Sequence, residues 1–186
     1  AFRQVADSPR PTLAVTSVQN RLQAEEHIEW SLSPEQTSGR LRVQGTLGST
    51  SVHQLRFQLP PQYTVRSVAL TQNEVALTTR WFRHADGLLT VLLDDMRAEP
   101  WQVEIIADRP HVAGKSTTLP ILQTAEVDLQ HYTCVLRRRP GVDVTLGKLA
   151  SWTSAPLVAE EAEAPSPSRI IARLDWTGSR PGSTPP

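Results

Sequence analysis

Short runs of alternating apolar and polar residues, separated by Gly, Pro, Asn and Asp, fill the chain from about Leu13 to Leu146. Successive side chains of a β-strand point to opposite faces, so a period of two predicts half-buried strands. The runs number about ten, with turn residues roughly every 8–12 positions, a spacing typical of antiparallel sandwiches and barrels. No long segment has the helical period. We therefore predict an all-β fold, an antiparallel β-sandwich of about ten strands with at most one short helix.

Local signals mark where some of these strands end or bend. The run 41–47 alternates apolar and polar side chains, and Gly39 and Gly48 bound it. The phase of the alternation shifts at Arg66-Ser67, which predicts a β-bulge. We therefore expect strand boundaries at the two glycines and a bend at residues 66–67.

Asp86-Gly87 is the strongest hairpin signal in the chain, because this dipeptide favours the tight turns that join antiparallel strands. The apolar run 88–93 that follows predicts a return strand buried on both faces. A second turn is predicted at 137–141. It separates the last two strands of the predicted sandwich, 132–136 and 142–146.

Residues 21–32 fit two kinds of structure. The first residues of this segment would suit a helical turn, whereas the apolar residues at alternate positions from Ala24 to Leu32 fit one face of a strand. We favour a strand, in which Glu26 is the one misfit on the apolar face. We interpret Glu26, together with Glu25 and Glu29, as part of a solvated strand face.

The alternation stops after Leu146 and resumes at Arg169. The intervening composition, rich in Ala, Glu, Ser and Pro, is typical of a linker or a short helix. Because Leu174-Asp175-Trp176-Thr177 resembles Ile28-Glu29-Trp30-Ser31, the last segment either adds a strand to this domain or begins another module. We predict four segments: an extended arm (1–12), a β-sandwich domain (13–146), a linker or short helix (147–168), and an edge strand or the start of a second module with a disordered tail (169–186).

The charge balance bears on the classes of partner. The chain has 19 basic and 19 acidic residues, so its net charge is zero. A neutral chain has no long-range field that would attract nucleic acid or an anionic membrane. No apolar run approaches the roughly 18 residues that a transmembrane helix needs. We therefore predict no nucleic-acid partner and no transmembrane segment.

No set of side chains predicts catalysis, a bound metal or a cofactor. Cys134 is the single cysteine and can form no internal disulfide; its strand-like surroundings predict a buried, unreactive thiol. Gly114-Lys115-Ser116-Thr117 lacks the earlier glycine of a phosphate-binding loop, since Arg109 stands there. The five histidines have no metal-ligand spacing, and Asp94-Asp95 offers too few oxygens for calcium.

The five tryptophans supply the candidate binding residues. Trp30 and Trp101 share strand faces with aliphatic residues, which predicts that they lie in the core. Trp81 adjoins Phe82, so one of the two must point outward. We therefore select Trp81 and Trp152 as candidate surface aromatics, able to contact a protein partner or to stack on a sugar.

The region of about residues 30–146 resembles the repeated β-sandwich segments of large secreted or cell-envelope bacterial proteins. The resemblance is carried by Leu55-Arg56-Phe57-Gln58-Leu59-Pro60, Tyr63-Thr64-Val65-Arg66-Ser67-Val68, Trp81, Asp86-Gly87 and the segment Gly114 to Pro120. It implies a scaffold or spacer role outside the cytoplasm. It carries over no functional residue.

Together these features predict a non-catalytic structural or interaction module of a larger extracytoplasmic protein, whose partners are neighbouring domains or protein subunits. One alternative is a carbohydrate-binding module that uses exposed tryptophans, with a glycan as its ligand. Another is an accessory β-domain of a hydrolase. No cofactor is expected in any of these roles.

Overall fold

The computed structural model of the chain describes residues 22–46, 54–93, 100–111, 123–125, 127–146, 152–155 and 168–176. Within these ranges the chain forms twelve β-strands and no helix, which confirms the all-β prediction and exceeds the expected strand number. The arm 1–12, most of the segment 147–168 and the tail after Trp176 lie outside the described residues, as does the weak alternation at 13–19.

The twelve strands alternate along the chain with short turns and loops. In chain order they are β1 (Leu22–Leu32), β2 (Gln36–Thr46), β3 (Gln54–Gln58), β4 (Thr64–Gln72), β5 (Val75–Leu77), β6 (Arg80–Arg83), β7 (Leu88–Leu92), β8 (Pro100–Pro110), β9 (Gln123–Ala125), β10 (Val127–Arg138), β11 (Trp152–Ser154) and β12 (Arg169–Trp176).

The strands form two sheets. The larger has eight strands in the order β11-β12-β10-β1-β2-β8-β4-β5, and the smaller has four in the order β6-β7-β3-β9. All neighbouring pairs are antiparallel except β1 and β10, which are parallel. The larger sheet is therefore mixed, although the pairing of the described strands is mainly antiparallel, and the parallel pair departs from the antiparallel sandwich that the sequence predicts. Alternation records which face a side chain occupies but not the direction of the neighbouring strand, so the parallel pair has no local sequence signal.

One apolar cluster contains residues from both sheets. Ile28, Trp30 and Val103 come from the larger sheet, and Phe57 and Leu89 from the smaller. The ring centroids of Trp30 and Tyr63 are 5.4 Å apart in a tilted arrangement. Strand β12 belongs to the larger sheet and contributes Ala172 and Leu174 to this cluster, against which Trp176 also packs.

Strand β1 has the predicted alternation, with Ala24, Ile28, Trp30 and Leu32 buried. Glu26 lies on this same face and is only 1% exposed, so its interpretation as a solvated residue is wrong. Backbone pairing on both sides of β1 fixes the alternation, and the apolar majority of the face determines which side is buried.

Gly39 lies inside β2 and does not bound it. A side chain at this position would overlap the six-membered ring of Trp30, because Trp30 and Gly39 are register partners on adjacent strands. The glycine therefore makes room for a large core residue, a use that the sequence alone does not distinguish from a strand end.

The predicted bulge and the predicted hairpin are both present. The register of β4 against β8 shifts between Val65 and Ser67. Strands β6 and β7 pair on either side of Asp86-Gly87, with Gly87 in the left-handed region at φ 89°. The alternation at 142–146 also predicts a strand, but that prediction is wrong. These residues form no strand, and Leu146 is 40% exposed, because alternation stabilises a strand only where a neighbouring strand takes up its backbone hydrogen bonds.

Candidate functional site

Strand β6 forms one edge of the smaller sheet and pairs only with β7 among the described strands. Its two central residues, Trp81 and Phe82, are 39% and 45% exposed. Adjacent residues of a strand point to opposite faces, so the two rings lie on opposite sides of the sheet. Both are exposed because β6 is an edge strand and each face of it is only partly covered.

The strand register assigns each ring to a face. Trp81 lies opposite Val91, which is fully buried in the shared core. Phe82 lies opposite Thr90, on the outer face of the sheet, where Leu88 and Leu92 are half-buried. The Phe82 and His84 rings make an edge contact with centroids 5.0 Å apart. We use the name β6 patch for the edge strand β6 together with the outer-face side chains of Phe82, His84, Leu88 and Leu92.

Arg83 holds this edge against the loop that precedes β4. Its guanidinium donates hydrogen bonds to the carbonyl oxygens of Leu59 at 3.2 Å, of Pro60 at 2.8 Å, and of Tyr63. At the hairpin tip the amide of Leu88 donates to Asp86 Oδ1 at 2.9 Å. These hydrogen bonds hold β6 to the 59–63 loop and stabilise the hairpin turn after it. They therefore fix the position of the β6 patch.

The outer face of the larger sheet is polar and several of its charges are paired. Arg42 Nη2 lies 3.0 Å from Glu104 Oε2 and Arg66 Nε lies 2.7 Å from Asp108 Oδ2. Arg137 Nε approaches Glu29 Oε1 at 2.5 Å. Exposed pairs of this kind add little stability, but they leave few charges free for a partner.

The same face carries an open groove of about 980 Å³ at one end of the strands. Glu25 of β1 lies opposite Gln44 of β2 in the strand register. Gln44 in turn lies opposite Gln102 of β8, and Gln102 opposite Thr71 of β4. Register partners share a face, so these four side chains form one line across four strands, which we call the polar row. All four line the groove.

Trp101 precedes Gln102 in β8, so its side chain points to the opposite, core face of the sheet, where it is only 2% exposed. Its indole Nε1 is buried and has no hydrogen-bond partner in the part of the chain that the structure describes. A buried donor without an acceptor costs about 1–3 kcal/mol. Trp101 is thus a core residue, as predicted, with one unsatisfied polar atom.

Two buried groups have pKa values shifted by burial. The pKa of the Cys134 thiol is raised to about 12, because the neutral form is favoured where the charged thiolate would lose its hydration. Burial also raises the pKa of Tyr63, and the positive charge of Arg109 partly opposes this. Cys134 is therefore a protonated, buried thiol, which agrees with its predicted inertness. Across the described residues, no cluster of three or more His, Cys, Asp or Glu is arranged to hold a metal ion.

The two predicted binding residues lie in different sheets. Trp81 is on the edge of the smaller sheet, whereas Trp152 begins β11 at one edge of the larger, opposite Trp176. The side chain of Trp152 lies outside the described residues, so its binding role stays a prediction. Sequence reasoning missed the exposure of Phe82 beside Trp81, and it missed the polar row, which only the strand register assembles. In the described ranges, no helix is long and apolar enough to cross a membrane.

No protein-family model matches the chain, and no curated protein matches its sequence. A single-site variant of the M1 zinc metallopeptidase of Deinococcus radiodurans aligns at 14% identity with a TM-score of 0.48, over 85% of this chain and 39% of that one. The same variant bound to a Tyr-Ser-Ala substrate aligns at 12% identity, with the same TM-score and coverage.

A protein described as a protease from Parabacteroides distasonis aligns at 10% identity with a TM-score of 0.48, over 84% of this chain and 35% of that one. This chain thus spans well under half the length of these structures. A likeness at this level does not establish a shared fold or a shared activity.

Proposed function

We propose that this β-domain, two sheets sharing one core in the manner of a sandwich, is a non-catalytic interaction module of a larger extracytoplasmic protein. In this proposal the β6 patch docks against a neighbouring domain or subunit. The exposure of Trp81 and Phe82 on an edge strand is the observation that carries it.

Two physical features support a docking role for this edge. An edge strand presents unpaired N–H and C=O groups that can pair with another chain. Large aromatic side chains contribute strongly to protein interfaces when they become buried. At the β6 patch the two features coincide, whereas the outer face of the larger sheet is polar and pairs several of its charges internally.

Hydrogen exchange measured on this chain alone and on the intact larger protein tests the proposal. We expect a peptide covering 80–83 to exchange quickly in the isolated chain and more slowly in the larger protein, because docking covers its amides. A peptide covering 101–107 of the central strand β8 serves as the control and should exchange slowly in both. Equal exchange of β6 in the two samples contradicts the proposal.

A substitution gives a second measurement of the same contact. Phe82→Ser removes an exposed aromatic ring of the β6 patch, and we expect it to restore fast exchange of 80–83 in the larger protein. Thr64→Ser, on an exposed position of β4, is the control and should leave the protection unchanged. An accessory β-domain of a hydrolase is one form of this proposal, since such a domain also acts by docking.

A further inference from the structure

The groove beside the polar row has the charge and hydrogen-bonding groups of a site for a neutral ligand. Two of the described residues that line it are carboxylates, Glu25 and Glu74, and none is Lys, Arg or His. The nearest cation along β2 on this face, Arg42, is held by Glu104. The groove therefore disfavours anionic ligands on electrostatic grounds.

The polar row offers both donors and acceptors. Amides and hydroxyls donate and accept hydrogen bonds, and a carboxylate accepts them. Gln44 Nε2 donates to Glu25 Oε2 at 3.1 Å, which orients these two side chains along the row. The side chains of Gln102 and Thr71 have no hydrogen-bond partner among the described residues. Such a set matches the hydroxyl groups of a sugar, each of which also donates and accepts.

The spacing of the row favours a glycan over a peptide. Adjacent strands lie about 4.8 Å apart, so the four side chains recur at that interval over roughly 14 Å. This interval is close to the length of one sugar residue in an extended oligosaccharide. An extended peptide presents same-side groups only at every second residue, roughly 6.8 Å apart, and its repeat does not match the row.

We propose that the polar row binds an extended neutral oligosaccharide lying across β1, β2, β8 and β4, with about one sugar residue over each strand. This site lies on the larger sheet and is separate from the β6 patch. It also differs from a sugar site built on Trp81 or Trp152.

Calorimetric titration with neutral hexasaccharides of glucose, xylose, mannose and N-acetylglucosamine tests this site. We expect at least one of the four hexasaccharides to bind. Gln102→Ala should weaken that binding by about tenfold, the effect of losing roughly one or two hydrogen bonds. Gln62→Ala makes the same change at an exposed turn outside the groove and should leave the affinity unchanged.

Three results would overturn the proposal. The first is no binding of any neutral hexasaccharide at millimolar concentration. The second is equal affinity of Gln102→Ala and Gln62→Ala, with both shown to be folded by their thermal midpoints. The third is tighter binding of a galacturonic acid hexamer than of every neutral one. Phe82→Ser should leave sugar binding intact, so this test and that of the docking edge fail separately.

Discussion

The outer faces of the two sheets differ in the side chains that they expose: one is polar with paired charges, and the other has exposed apolar groups. On the larger sheet, charged residues pair with each other across strands, as Arg42 does with Glu104 and Arg66 with Asp108. On the smaller sheet, Phe82 is exposed and Leu88 and Leu92 are only half-buried. The same core thus supports one outer face on which several charges are paired and one on which apolar side chains are exposed, which is why we propose the smaller sheet as the docking side.

The sharpest test of this contrast compares two tryptophans. Trp30 is 1% exposed and packs on Tyr63, whereas Trp81 is 39% exposed at the edge. Trp30→Ala should lower the free energy of unfolding by about 3–5 kcal/mol, because it leaves a large cavity in the core. Trp81→Ala should lower it by no more than about 1 kcal/mol. Denaturant unfolding of both variants measures the two values.

Similar losses in the two variants would break the comparison, because Trp81 would then be a core residue and β6 would not be a free edge. A small loss for Trp30→Ala would instead show that the two sheets do not depend on a common core.

The burial of the Cys134 thiol, on the core side of the larger sheet, can be tested by measuring stability as a function of pH. Burial raises the pKa of the Cys134 thiol from 9.0 to about 12. Below pH 9 the thiol is protonated in both states. Between pH 9 and about 12 only the unfolded chain releases the proton, so the free energy of unfolding falls with rising pH, by up to about 1.4 kcal/mol per unit.

Cys134→Ala removes this contribution, so urea unfolding across that range should show a shallower decline for the variant. Some decline remains in it, because burial also raises the pKa of Tyr63. Identical slopes for the two proteins would show that the thiol is not buried in the folded chain.

We expect the smallest change in stability from a substitution in the ion pairs on the outer face of the larger sheet. The side chain of Arg66 is 62% exposed although its Nε lies 2.7 Å from Asp108 Oδ2. Arg66→Gln should cost about 0.2–1 kcal/mol of stability at low salt and less at roughly 1 M salt, where screening is strong. Arg139→Gln, an exposed arginine with no ion pair among the described residues, is the matched control. Equal effects of the two substitutions would mean that the pair contributes nothing.

Much of the strand layout follows from local pattern. The alternation in 54–58 and 101–107, the phase shift at Arg66-Ser67 and the Asp86-Gly87 turn all correspond to observed features. Each of these depends on residues that are close in sequence, where period and turn chemistry determine the backbone.

Features that depend on distant neighbours were not predictable in this way. Gly39 signals a boundary in sequence, yet it is a mid-strand position that Trp30 overlies. Residues 142–146 alternate, yet they form no strand. The polar row of the candidate sugar site joins residues from Glu25 to Gln102, and no local motif marks it, because only the pairing of β1, β2, β8 and β4 brings them into line.

The parallel pairing of β1 with β10 has a consequence for how the chain is made. His27 Nδ1 and Thr133 Oγ1 lie 2.7 Å apart across this pair, and the two residues are 106 positions apart in sequence. While the chain leaves the ribosome, β1 is synthesised long before β10, its parallel neighbour in the folded sheet. One side of β1 must stay without its final neighbour until β10 emerges. Such long-range contacts slow folding and leave an open strand edge in the nascent chain, where a chaperone would act.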